Sequence, residues 1–171
     1  VTSVSGIQKT YAELSGKSVK ELTEKGIYPL QISKLAKDGD SSAANTFEVV
    51  NRSLARLLYE RILTLNCGWQ NLFEFGNPNR SVLNPQHQYL GKVFDAIIIG
   101  QRLGDLFDDE TGKEVVRIPV FDQLNELIQN STFLTDEVKQ HYENLDEIIK
   151  ISKLREAPAL GAGIDAFITT N

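Results

Sequence analysis

Between about Ser41 and Leu65, apolar residues recur at spacings of three and four. Phe47, Val50, Leu54, Leu57, Leu58, Ile62 and Leu65 make one broad stripe, while Arg52, Arg56, Glu60 and Arg61 fall largely off it. That period predicts a long helix whose apolar face packs on a sheet. Upstream, three shorter helices are expected. Residues 3–14 carry Ile7, Tyr11 and Leu14 on one side. Ser18-Val19-Lys20-Glu21 has the capping-box spacing and opens a second helix that stops at Gly26. Residues 29–37 give a third, with Pro29 in its first turn. Asp38-Gly39-Asp40 then turns the chain into the long helix.

Downstream the pattern changes. Residues 66–90 are rich in turn residues, with Trp69, Phe73 and Phe75 as anchors. Asp95 then leads into Ala96-Ile97-Ile98-Ile99, a short apolar run ended by Gly100. It reads as a fully buried strand stopping at a tight turn. Residues 108–114 read as a polar turn and 115–119 as a short extended piece. Residues 121–130 read as a helix with Leu124, Leu127 and Ile128 inward. A further helix is expected over 135–145 and a strand over 147–152. Residues 155–168 begin as a loop and become a helix rich in glycine and alanine, residues that permit close backbone approach.

Composition adds bounds. The 171 residues are 41% hydrophobic and 24% charged, enough for a sizeable core. A net charge of -5 argues against nucleic acid or an anionic membrane as the main partner. No apolar run is long enough to span a bilayer, and no signal peptide is visible. The single Cys67 fits a reducing cytoplasm. Two separated histidines, His87 and His141, and one cysteine form no metal-ligand pattern. The chain begins Val1-Thr2-Ser3 and contains no methionine, so a segment of a longer protein is expected.

Candidate chemistry centres on two glycine-bearing turns. Gly100-Gln101-Arg102-Leu103-Gly104 follows the isoleucine strand, where Gly100 permits a turn that a Cβ would obstruct and backbone N–H groups can face a phosphate or an adenosine. Ala159-Leu160-Gly161-Ala162-Gly163 is the second. Both follow expected strands and open helices, and in a parallel or mixed sheet such turns gather at the carboxyl ends of strands. The acidic run Asp105, Asp108, Asp109 and Glu110 reads as a solvated loop. No Walker loop, nucleophile elbow or Ser-His-Asp arrangement follows from spacing.

The order of these elements resembles the C-terminal half of the ROK family (repressors, open reading frames and sugar kinases), in the sugar-kinase, actin and heat-shock ATPase superfamily. Ser5-Gly6 resembles the family's opening pair. Ala36-Lys37-Asp38-Gly39-Asp40 resembles its Ala-x-x-Gly-Asp turn, followed by the long helix. Residues 97–102, IIIGQR, resemble the strand with its glycine pair, Gln101 standing where the family has the second glycine. Ala157 to Gly163 resembles its last segment. The resemblance implies an α/β, ribonuclease H-like (actin-like ATPase) lobe. It would have a small mixed sheet packed with helices, a helix-rich part over 1–65, an insert over 66–90 and a sheet-containing part over 91–171.

By the same resemblance, the chain is the adenosine-facing lobe of an ATP-dependent, glucokinase-like sugar kinase. ATP with Mg2+ would serve the parent protein, and Gly100, Gln101, Arg102, Gly104 and Gly161 would face the nucleotide. The catalytic aspartate and most sugar contacts belong to an N-terminal lobe, the implied partner, so this segment alone would be inactive and would bind neither nucleic acid nor membrane. The alternative is a sugar-responsive transcriptional regulator or degenerate kinase, favoured by the bulk of Gln101 and Arg102 on the adenosine side. A third expectation is a structural domain that forms a homodimer through the aromatic insert.

Overall fold

A computed structural model describes residues 3–68, 86 and 88–153. The chain is mixed α/β and mostly helical. Helix α1 (Val4–Ser15), α2 (Val19–Glu24), α3 (Pro29–Lys37) and the long α4 (Ser41–Cys67) come first. Strand β1 (Ile97–Ile99) follows and leads into α5 (Gln101–Asp108) and the single turn α6 (Glu110–Gly112). A π-helical turn (Lys113–Arg117) runs into α7 (Ile118–Gln129), and α8 (Asp136–His141), α9 (Leu145–Ile148) and β2 (Ile149–Ile151) complete the described chain. The two strands pair in parallel, Ile97 with Ile149, Ile98 with Lys150 and Ile99 with Ile151. Among the described residues no third strand joins this parallel pair.

The helices expected over 1–65 and 121–130 form, with local differences; the one expected over 135–145 ends at His141, and the one expected within 155–168 lies outside the described residues. Helix α4 packs mainly against the helices α1, α3 and α7, not on the sheet its stripe was expected to meet. Phe47, Val50, Leu54, Leu58 and Ile62 of its stripe are buried, Leu57 and Leu65 half-buried. Glu60, expected off the stripe, is buried. In α1, Ile7 and Tyr11 are buried, but Leu14 is 46% exposed and Ala12 takes its place in the core. Ser18 caps α2 by accepting from the Glu21 N–H at 3.1 Å. The Glu21 carboxylate pairs forward with Lys25 at 2.8 Å, which draws its pKa down.

Asp40 caps α4 and ties it to α1. One carboxylate oxygen accepts from the Ala43 N–H at 2.9 Å and the other from the Tyr11 hydroxyl at 3.0 Å. The Ala43 N–H is the main cause of a carboxyl held below its ordinary range, burial opposes it, and the Tyr11 hydroxyl adds to it. Gly39, at φ +96, makes the preceding turn in a conformation that favours glycine.

Residues 108–119 depart most from expectation. Instead of a polar turn and an extended piece, the chain is helical apart from Asp109, whose backbone is extended between α5 and α6. Asp109 is no solvated loop residue: it caps α6, accepting from the N–H groups of Thr111 and Gly112 at 3.0 Å each. The β-branched run Val115-Val116 and the following proline suggested extension, but Val116 and Val120 are buried against helices. Pro119 explains the π-turn. It has no N–H for the carbonyl four residues back, that of Val115, and its ring crowds that position. The Asn51 amide, buried on α4, donates to the Val115 carbonyl at 2.9 Å in its stead.

Three outcomes follow from these contacts. Gly112→Ala places a methyl onto the Leu106 carbonyl oxygen and is expected to lower unfolding free energy by more than about 3 kcal/mol in urea titration. Asn51→Ala is expected to cost about 1–3 kcal/mol beside Pro119. It should cost clearly less in a Pro119→Ala background, where residue 119 regains an N–H, as a double-mutant cycle would read. The depressed Asp40 pKa contributes stability that is full above the unfolded carboxyl value, about 3.9, and is lost as pH falls through the folded value. Asp40→Asn should therefore flatten the acid limb of melting temperature against pH while leaving the limb above neutrality unchanged.

Candidate functional site

The carboxyl ends of β1 and β2 carry the candidate turn. The ladder extends one bond beyond the strands, from the Ser152 N–H to the Ile99 carbonyl at 2.8 Å. The strand is not fully buried: Ile99 is inside, Ile97 is half-buried and Ile98 is 71% exposed. Ile98 and its partner Lys150 leave one face of the pair open among the described residues.

Glycine is required at this turn, but not where the sequence suggested. Gly100 has φ -130 and ψ -174, an extended conformation open to any residue. Among the described residues, a Cβ there would meet only the Ser152 Cβ, at an ordinary 3.5 Å. The left-handed position is Gln101, at φ 55. The close approach is at Gly104, buried in the first turns of α5, where a Cβ would lie 3.0 Å from the Ser152 carbonyl oxygen and 3.1 Å from that of Ile99. Gly104 thus lets α5 descend onto the strand ends. Gly100 leaves bare backbone at the mouth of the turn with no structural demand for it among the described residues.

Gly100, Gln101, Arg102 and Gly104 therefore stand at one turn, with Gln101 and Arg102 both exposed. Gly161 and the whole second turn, Ala157 to Gly163, lie outside the described residues, as do Trp69, Phe73, Phe75 and His87. Lys153, just past β2, pairs with Asp108 of α5 at 3.0 Å and so flanks the turn with charge. At the other end of β1, α8 clamps the backbone of Phe94. The Phe94 N–H donates to the Tyr142 hydroxyl at 2.8 Å, and the His141 Nε2 lies 3.0 Å from the Phe94 carbonyl. The carbonyl accepts, so a neutral His141 carries its proton on Nε2. Burial pushes the Tyr142 hydroxyl pKa up.

Among the described residues no cluster of histidine, cysteine or carboxylates is arranged to hold a metal ion. No described helix is long and apolar enough to cross a membrane. An open groove of about 370 Å³ lies elsewhere, between α4 and α7. Its lining includes Arg52 and Arg56, which the sequence pattern places only on a polar helix face. The signal for them was the four-residue spacing of two arginines, which by itself does not tell a solvated face from a groove. No protein-family model, curated protein or solved structure matches the chain.

Three variants separate these roles by thermal or urea unfolding. Gly104→Ala is expected to destabilise by about 1–3 kcal/mol, because backbone oxygens cannot yield far. Gly100→Ala should lie within about 0.5 kcal/mol of the parent or be slightly more stable. Gln101→Gly releases a left-handed residue but adds chain freedom when unfolded, and is expected to gain no more than about 1 kcal/mol.

Proposed function

We propose that this chain forms the adenosine-facing lobe of a two-lobed, ATP-dependent sugar kinase. The observation that supports this reading is the turn after β1. It lies at the carboxyl edge of a parallel strand pair, the edge at which open α/β sheets receive ligands. It also keeps a glycine, Gly100, that neither its backbone conformation nor packing among the described residues requires. Bare backbone there lets a planar base and ribose approach to van der Waals distance. The first N–H groups of α5 have no acceptor within the helix and are oriented toward the same edge. The exposed Gln101 and Arg102 would border the base.

In this reading ATP supplies the phosphoryl group. The chain's own residues bind and orient: Gly104 seats α5, and α5 and the strand ends form one wall of an interdomain cleft. The base that takes the sugar hydroxyl proton would come from the other lobe, and catalysis would rest on positioning and charge stabilisation. A second reading, a catalytically silent, sugar-responsive relative, is favoured by one observation. Gln101 is a side-chain-bearing residue held at φ 55, where glycine would be unstrained and would leave more room.

Calorimetry with a non-hydrolysable ATP analogue on the intact two-lobed protein tests the first reading. Binding is expected, and Gly100→Val should weaken it about tenfold or more, with Gly100→Ala intermediate and the melting temperature of the Ala variant unchanged. No binding by the parent protein would reject the kinase reading in favour of the silent one.

A further inference from the structure

We draw no further inference here: the strongest candidate, the open face of the β1–β2 pair where Ile98, in register with Lys150, is 71% exposed, carries nothing because nothing in the structure shows what covers it.

Discussion

The absence of a side chain at Gly104 is the constraint on which the strand-end region depends. The carbonyl oxygens of Ile99 and Ser152 lie where a Cβ would stand, so α5 can rest directly on the ends of both strands. A parallel pair needs a crossover between its strands, and here that crossover begins with α5. A second close approach, Gly112 against the Leu106 carbonyl, folds the chain back at once into the π-turn and α7. Two glycines, one inside α5 and one at the end of α6, thus allow a tight reversal from the strand edge into the core beside α4.

Helix α4 then receives that reversal. Its apolar stripe meets α1, α3 and α7, and its one buried amide, Asn51, meets the backbone carbonyl that Pro119 cannot serve. The proline widens the helix and the amide compensates, so two residues far apart in sequence answer one backbone problem. Asp40 anchors the other end, joining a helix cap to the Tyr11 hydroxyl of α1.

Periodicity made the helical scaffold legible in the sequence. The α4 stripe, the cap at Ser18 and the turn at Gly39 are local signals, and local signals survive into the fold. What periodicity missed was set by distant partners. Val115-Val116-Arg117-Ile118-Pro119 looks extended on propensity, but burial against α3, α4 and α5 and the Asn51 bond hold it helical. Glu60 and Asn51 look like polar-face residues until the depth of the stripe is known. The candidate turn was located correctly as a strand-to-helix junction, but its glycine requirement was assigned to Gly100 and belongs to Gly104, because backbone proximity leaves no mark in residue spacing. Gly161 lies beyond the described residues, so the pairing of the two turns rests on sequence order alone.

The account's central claim is that the bare backbone after β1 faces an adenine nucleotide. Hydrogen–deuterium exchange of the intact protein, with and without a non-hydrolysable ATP analogue, tests it most directly. Slowed exchange in residues 99–105, with α4 and α7 unchanged, is the result the account predicts. Nucleotide binding that leaves residues 99–105 unprotected would contradict it.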